Sequence, residues 1–193
     1  WKTDVNSLSG VPSWMLVLIK AVLQKTGSEY LTDVWPNMEV FFHGGISFEP
    51  YRDQYKALIP SDRMHYMETY NASEGFFGLQ DNPEEHSLLL MIDYSVFYEF
   101  IPINEVGEEH PTVLPLEAVE VGKNYAMVIT TSGGLWRYQI GDTVRFTSLY
   151  PHKFVISGRT KNFYQCLGEE LMVDNADKAI SRVCRQTGAK VKE

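Results

Sequence analysis

The sequence has few cysteines and no long apolar run, and both deficits limit the class of protein. Two cysteines, Cys166 and Cys184, are too few for a disulfide framework, which favours a reducing compartment and predicts a cytoplasmic location. The most apolar run, Trp14–Leu23, is interrupted by Lys20 and is shorter than the roughly 20 residues that cross a bilayer. The sequence therefore predicts a protein that does not enter a membrane.

Positive charge is also scarce. The 193 residues include 17 Lys and Arg against 25 Asp and Glu, a net charge of -8, and no Lys or Arg lies between Arg63 and Lys123. A nucleic-acid-binding surface needs clustered basic side chains, so nucleic acid is excluded as a partner. We interpret the acidic stretch as a solvated surface. With 44% hydrophobic residues, the composition is that of a globular protein.

The N-terminal part of the sequence alternates between helix and strand signals. The run SLSGVPSWMLVLIKAVLQKTG predicts a helix with Ser9 or Gly10 as its cap, Pro12 in its first turn and Gly27 at its end. Because this helix is apolar on nearly every face, we expect it to be buried within a larger domain. Strands are predicted at Val40–Phe42 and in RMHYMETYNASEG, with a helix in FEPYRDQYKALIP between them. This order is typical of an α/β fold with a parallel sheet and crossover helices.

From Ser87 onward the pattern changes to strands rich in β-branched and aromatic residues. Turns are predicted at Ser132–Gly134 and at Gly141–Asp142, which indicates a smaller antiparallel sheet or a distorted barrel. A last helix follows, with Asp174 as its N-cap and Gly188 as its stop. Its predicted apolar face consists of Val173, Ala176, Ile180 and Val183.

The stretch YNASEGFFG, residues 70–78, combines an aromatic ring, a hydroxyl, a carboxylate and glycines directly after a predicted strand. Ligands of parallel α/β sheets bind at the carboxyl ends of the strands. Glu74 is suited to hold Mg²⁺, which takes oxygen ligands and binds together with substrate phosphates. Ser73 is suited to donate a hydrogen bond to a phosphate, and Tyr70 to lie against a base. The alternative is an ordinary polar turn with a tyrosine in the core.

Two later stretches add charged candidates. In GGLWRYQIGDTVRF, Asp142 is suited to accept hydrogen bonds from both hydroxyls of a ribose, although Gly-Asp is also a common turn pair. In ISGRTKNF, Arg159 and Lys161 follow a predicted strand close to a change in composition, as in a basic hinge.

The order and spacing of these stretches resemble a known family. LSGVPSWM, WPNMEVFFHGGISFEPYR, YNASEGFFG, LWRYQIGDTVRF and SGRTKNF together resemble the auxin-responsive acyl-acid amido synthetases, which belong to the acyl-adenylate-forming superfamily. The resemblance implies an α/β fold in which residues 1–158 are the second part of the large N-terminal domain. Residues 159–193 are then a hinge and the beginning of a C-terminal cap domain. The hinge sequence GRTKNFYQCLGEELM resembles the wider superfamily more closely, which predicts a bacterial-type member.

The same resemblance implies roles for individual residues. Tyr70 is implied to stack on adenine, Glu74 to bind Mg²⁺, Asp142 to hold the ribose hydroxyls and Lys161 to act at the hinge. The residues implied to be catalytic are Ser73, Glu74 and Lys161. Those implied to bind the nucleotide are Gly44, Gly45, Tyr70, Asn71, Ala72, Ser73, Asp142 and Arg159.

The sequence departs from the family pattern in three respects. Asn71 stands where the wider superfamily usually has glycine, and Gln139 stands where the plant enzymes have arginine. The Ser/Thr/Gly-rich phosphate loop expected upstream and most of the cap are not in this sequence. We therefore expect the chain to be a fragment that is inactive by itself.

The implied activity consists of two half-reactions. ATP and a carboxylic acid form an acyl-adenylate and pyrophosphate, and an amino acid then attacks the adenylate to form an amide. The implied partners are thus ATP, a carboxylic acid and an amino acid, with Mg²⁺ as the cofactor. Two alternatives stay open, an acyl-CoA ligase and a nonenzymatic nucleotide-binding module.

Two further sets of side chains are candidates with a structural alternative. His43 and His65 are candidates for the base of the second half-reaction, or else structural histidines. The candidates for an acyl pocket, for which core packing is the alternative, are Phe76, Phe77, Phe97 and Trp136.

Overall fold

The computed structural model describes residues 2–160, 164–166, 169–171, 179–180, 182–184 and 186–189. The chain divides into two compact units. The first comprises Trp1–Thr69 and Asp177–Glu193, and the second comprises Tyr70–Ala176.

A three-stranded parallel sheet forms the centre of the first unit. Its strands, in the order β1-β2-β3, are β1 (Ser7–Gly10), β2 (Val40–His43) and β3 (His65–Ala72), the last of which continues into the second unit. The connecting helices are α1 (Pro12–Thr26), α2 (Leu31–Val34) and α3 (Arg52–Leu58). Parallel strands require such crossover connections, so the predicted α/β arrangement is confirmed.

Helix α1 ends where its sequence predicts but begins with a different cap. Gly27 adopts a φ of 71° and donates its N–H to the Leu23 carbonyl at 2.9 Å, as a C-terminal glycine does. Pro12 is the first helical residue and Val11 is the N-cap. The predicted caps Ser9 and Gly10 lie in β1, because this segment pairs with β2 instead.

Helix α1 is buried on one side in the described part of the chain, and its burial within a larger domain stays a prediction. Leu16, Ile19 and Leu23 are buried, whereas Trp14 and Val17 are 68% and 67% exposed. The buried positions are three and four residues apart, which places them on the side of the helix that packs against the core of the first unit. Among the described residues, no helix is long and apolar enough to cross a membrane.

Stacked aromatic rings fill the core of the first unit. The rings of Phe41 and Tyr55 stack with their centroids 4.9 Å apart, and the Phe48 ring meets Tyr55 edge-on at 5.2 Å. The Tyr55 hydroxyl donates a hydrogen bond to the Pro12 carbonyl at 2.7 Å. This bond satisfies the buried hydroxyl and connects α3 to the beginning of α1.

An antiparallel sheet with the strand order β4-β5-β10-β9-β8-β6-β7 forms the second unit. Its strands are β4 (Gly75–Gln80), β5 (Leu88–Leu90), β6 (Val96–Pro102), β7 (Leu114–Pro115), β8 (Asn124–Thr131), β9 (Tyr138–Leu149) and β10 (His152–Arg159). Two short 3-10 helices are Ile103–Glu105 and Leu116–Ala118, and a separate antiparallel pair consists of β11 (Tyr164–Cys166) and β12 (Glu169–Leu171). The antiparallel sheet was one of the two predicted alternatives.

The predicted turn at Ser132–Gly134 is confirmed, and the one at Gly141–Asp142 is wrong. The first joins β8 to β9, with the Gly134 N–H donating to the Thr131 carbonyl at 3.2 Å. Gly141 and Asp142 lie inside β9, where the register with β8 shifts. The chain continues through this β-bulge because partners on both sides, β8 and β10, hold the strand in the sheet.

The predicted last helix is confirmed where the structure describes it. Residues 179–180, 182–184 and 186–187 are helical, and Gly188, with a φ of 71°, donates its N–H to the Cys184 carbonyl as the predicted stop. Of the predicted apolar face, Ile180 and Val183 are 46% and 53% exposed. The other predicted residues of this helix lie outside the described residues: Val173, Asp174 and Ala176.

Candidate functional site

The carboxylate of Asp142 accepts a hydrogen bond from a protein group on each of its two oxygens. The Tyr70 hydroxyl donates to Oδ2 at 2.7 Å, and the Arg159 Nε donates to Oδ1 at 2.8 Å. Asp142 is buried, with 8% of its surface exposed. A buried carboxylate needs such charge-assisted bonds, and together they fix the orientation of its plane.

Strand register brings these three residues together. Arg159 is opposite Asp142 in the pairing of β10 with β9, one pair beyond the register shift between Ile156 and Gly158. Tyr70, in the last part of β3, is buried with its ring 5.1 Å from that of Phe77 and 6.1 Å from that of Phe154. Core packing therefore holds the tyrosine ring while its hydroxyl reaches Asp142.

The electrostatics keep the Tyr70 hydroxyl protonated. Burial raises the pKa of Tyr70 far above its ordinary value, and the charge and hydrogen bond of Asp142 raise it further. The Glu74 carboxylate acts in the same direction, and Arg159 opposes it. Tyr70 is thus a permanent donor to Asp142, and the negative charge of Glu74 also raises the pKa of Tyr70.

Ser73 and Glu74 form the turn between β3 and β4. As predicted, the motif follows the carboxyl end of a strand that is parallel to its neighbour, but the chain then enters another strand rather than a helix. Ser73 and Asn71 are exposed, Glu74 is half-buried, and Ala72 packs against the core of the second unit. The turn therefore presents a hydroxyl and a carboxylate near Tyr70.

Gly44 and Gly45 follow β2 in the first unit, and both have structural reasons to be glycine. A Cβ atom at position 44 would lie 2.4 Å from the Thr69 carbonyl oxygen, which is impossible without a shift of the backbone. Gly45 adopts a φ of 83°, which side-chain-bearing residues rarely adopt. Their implied contact with adenine stays a prediction.

Lys161, the residue implied to act at the hinge, lies outside the described residues.

The geometry favours the structural alternative for His43. Its ring is 3% exposed and stacks on Phe48 at 4.3 Å. Burial, followed by the charge of Arg52, lowers the pKa of His43 to about 3, so the ring is a weak proton acceptor. His65 is exposed at the start of β3.

Of the four candidates for an acyl pocket, two line the same cavity and one is in the core. A cavity of about 480 Å³ in the second unit is lined by Phe97 and Trp136, which are 61% and 81% exposed. The alternative prediction, that these two residues pack in a core, is therefore wrong. Phe77 is fully buried in the core of the second unit, and Phe76 contacts the ring of Tyr94.

Within the described part of the chain, no group of three or more His, Cys, Asp and Glu side chains is arranged to hold a metal ion. Mg²⁺ often binds through one carboxylate together with substrate phosphates, so a complete protein cage is not required. The half-buried Glu74, in a turn beside the exposed Ser73, fits such a single-carboxylate ligand.

The Tyr70–Asp142 contact is the feature that sequence reasoning missed. The two residues are 72 positions apart. The motif around Tyr70 predicted a contact with a base, and the motif around Asp142 separately predicted a contact with a ribose. No periodicity or spacing in one sequence reports that a tyrosine hydroxyl faces a particular carboxylate.

The fold is that of the large N-terminal domain of acyl-adenylate-forming enzymes, as predicted. The GH3.15 acyl acid amido synthetase is similar with a TM-score of 0.64 at 20% identity, over 87% of this chain and 31% of that chain. 2-Hydroxyisobutyryl-CoA ligase in the postadenylation state, in complex with 2-HIB-AMP, is similar with a TM-score of 0.64 at 14% identity, over 93% of this chain and 38% of that chain.

Two family models then identify the family. The GH3 family N-terminal domain matches residues 2–64, and the GH3 family central domain matches residues 89–159. The chain therefore belongs to the GH3 family, and the predicted resemblance is confirmed.

The curated relatives are considerably longer than this chain. The indole-3-acetic acid-amido synthetase GH3.4 of Arabidopsis thaliana is 31% identical over 214 residues, which cover 100% of this chain and 34% of that protein. GH3.2, an indole-3-acetic acid-amido synthetase of the same organism, is 28% identical over 199 residues, which cover 91% of this chain and 35% of that protein. The chain spans about a third of the length of these relatives.

Proposed function

We propose that the full-length protein is an ATP-dependent acyl-acid amido synthetase. It activates a carboxylic acid as an acyl-adenylate and transfers the acyl group to the amine of an amino acid, forming a carbon–nitrogen bond. Membership of the GH3 family supports this reaction class. The observation that carries the proposal is the buried Asp142 carboxylate, oriented by Tyr70 and Arg159.

Asp142 binds the ribose of ATP. A carboxylate oxygen has two lone pairs, and the hydrogen bonds from Tyr70 and Arg159 occupy one on each oxygen of Asp142. A lone pair on each oxygen is then available for the two neighbouring hydroxyls of a ribose. The other proposed nucleotide contacts are Gly44, Gly45, Tyr70, Asn71, Ala72, Ser73 and Arg159.

The turn between β3 and β4 serves the phosphates. Ser73 donates a hydrogen bond to a phosphate oxygen, and Glu74 is the ligand for Mg²⁺, which neutralises the charge that develops on the phosphates during adenylation. Adenylation depends on such positioning and charge stabilisation more than on a protein base. Lys161 acts at a hinge between residues 1–158, in the large domain, and residues 159–193, which begin the cap.

An acyl-CoA ligase is the second candidate. It uses the same adenylation step with CoA as acceptor, and the fold similarity to 2-hydroxyisobutyryl-CoA ligase favours it as the alternative. A nonenzymatic nucleotide-binding module would have no need for Glu74 beside Ser73. The proposed location of the protein is the cytoplasm, and neither a membrane nor nucleic acid is a proposed partner.

Isotope exchange between pyrophosphate and ATP in the full-length protein tests the proposal. We expect exchange that depends on a carboxylic acid and on Mg²⁺, and an amide product when amino acids are supplied. A thioester formed with CoA, and no amide, would favour the ligase. Nucleotide binding without exchange would favour the nonenzymatic module and contradict the proposal.

A further inference from the structure

Tyr70 contacts Asp142 through its hydroxyl, at the one polar atom of an otherwise apolar, buried side chain. The ring belongs to the core of the second unit, and only 6% of the residue is exposed. The hydroxyl lies 2.7 Å from Asp142 Oδ2, whereas the Arg159 Nε donates to Oδ1. The two donors thus act on different oxygens of the same carboxylate.

The two donors are unequal in rigidity. Arg159 is a long, flexible side chain that is 67% exposed, so its ion pair with Asp142 is screened by solvent and constrains the carboxylate weakly. Tyr70 has a ring fixed by Phe77 and Phe154, and its donor position is set by the core. The orientation of the Asp142 carboxylate therefore depends mainly on Tyr70.

We propose that Tyr70 is a positioning residue whose hydroxyl orients Asp142 for the two ribose hydroxyls, and that it thereby determines the preference of the protein for ribonucleotides. This role rests on the proposed function, in which Asp142 binds ribose. It is separate from any contact between the tyrosine ring and adenine, because the hydroxyl and the ring act on different groups. Without the hydroxyl, Asp142 rotates toward Arg159 and loses the bidentate arrangement.

A structural role for the hydroxyl predicts a different result, and Tyr98 is the matched control. Tyr98 belongs to the same core, is 4% exposed, and donates its hydroxyl to the Met91 carbonyl at 3.1 Å. Burial raises the pKa of Tyr98 as it raises that of Tyr70. Tyr98→Phe therefore removes a comparable buried hydrogen bond that does not touch Asp142.

The experiment compares ATP with 2′-deoxyATP in pyrophosphate exchange by the full-length wild type, Tyr70→Phe and Tyr98→Phe. In the wild type we expect a clear preference for ATP in kcat/KM. In Tyr70→Phe we expect the KM for ATP to rise about tenfold with little change in kcat, and the preference to fall about tenfold, because one charge-assisted bond to the carboxylate is lost. In Tyr98→Phe we expect the wild-type preference.

Each other outcome contradicts the role of Tyr70, the role of Asp142 or the proposed function. A wild-type preference in Tyr70→Phe, or an equal loss in Tyr98→Phe, would overturn the positioning role and leave the proposed function intact. Exchange without any preference in the wild type would overturn the ribose role of Asp142 and, with it, the role of Tyr70. A wild type without exchange would overturn the proposed function itself.

Discussion

Gly44 lies so close to Thr69 that a Cβ atom at position 44 would stand 2.4 Å from the Thr69 carbonyl oxygen. The Thr69 hydroxyl also donates a hydrogen bond to the His43 carbonyl at 3.3 Å. The backbone after β2 and the backbone of β3 therefore approach each other where a side chain has no room.

Gly44→Ala is expected to destabilise the full-length protein by about 1–3 kcal/mol, the usual cost of forcing atoms into a packed site. The obstacle is backbone, which yields less easily than the end of a side chain. Thermal unfolding measures the effect, with Gly133→Ala as control, because a Cβ there meets only the Thr131 hydroxyl at an ordinary 3.6 Å. Equal melting temperatures for the two variants would contradict the prediction.

His43 is expected to make the stability of the protein depend on pH. Its pKa is lowered from 6.5 to about 3 in the folded state, so between these values the unfolded chain binds a proton that the native state does not. Stability is therefore present above pH 6.5 and is lost as the pH falls, by about 2 kcal/mol between pH 7 and pH 5.

Denaturant unfolding of the full-length protein at a series of pH values measures this loss. His43→Phe keeps the aromatic stack on Phe48 and should flatten the profile between pH 7 and pH 5. The control is His65→Gln, which changes an exposed histidine on the neighbouring strand and should keep the wild-type slope. A His43→Phe profile as steep as that of the wild type would count against the assignment.

Asp142→Asn is expected to raise the KM for ATP about 10- to 100-fold, since hydrogen bonds to a charged group are each worth about 1.5–3 kcal/mol. The amide also presents a donor to Tyr70 or Arg159, both of which already donate. Initial rates of pyrophosphate exchange against ATP concentration check this, with Asp93→Asn as a control at an exposed carboxylate of the same unit. An unchanged KM would remove Asp142 from the nucleotide site.

Glu74→Gln is expected to abolish adenylation and leave the fold intact. Loss of a Mg²⁺ ligand should lower the exchange rate at least about 100-fold. The melting temperature should stay within about 2 °C of the wild type, because surface substitutions usually cost little. Glu84→Gln, at an exposed turn of the same unit, is the control. Near-normal exchange by Glu74→Gln would contradict the metal assignment.

Lys161→Pro is expected to preserve pyrophosphate exchange and to lose most amide formation. Proline fixes φ near -65° and removes an N–H, so a hinge at this position would be held in one orientation. Lys161→Ala removes the charge without restricting the backbone and should keep both half-reactions. Measuring both half-reactions in both variants tests the prediction, and an equal loss of the two in Lys161→Pro would favour misfolding or a direct contact with ATP.

Local signals in the sequence determined helices α1 and α3, strands β2 and β3, and the family. Pro12 and Gly27 set the two ends of α1 because proline suits the first turn and glycine accepts the positive φ after the last one. The apolar run at Val40 predicts β2, and the motifs from Leu8 onward identify the GH3 family. Each of these features depends on residues close together in the chain, so the amino-acid sequence is enough to predict it.

Only the tertiary structure decided the features that depend on distant partners. Gly141 and Asp142 have the composition of a turn, yet β8 and β10 hold them in a bulge of β9. Asp142 meets Tyr70 across 72 residues because the register of the sheet and the packing of aromatic rings bring them together. Strand pairing and side-chain packing are non-local, and their free energy overrides the turn preference of a Gly-Asp pair.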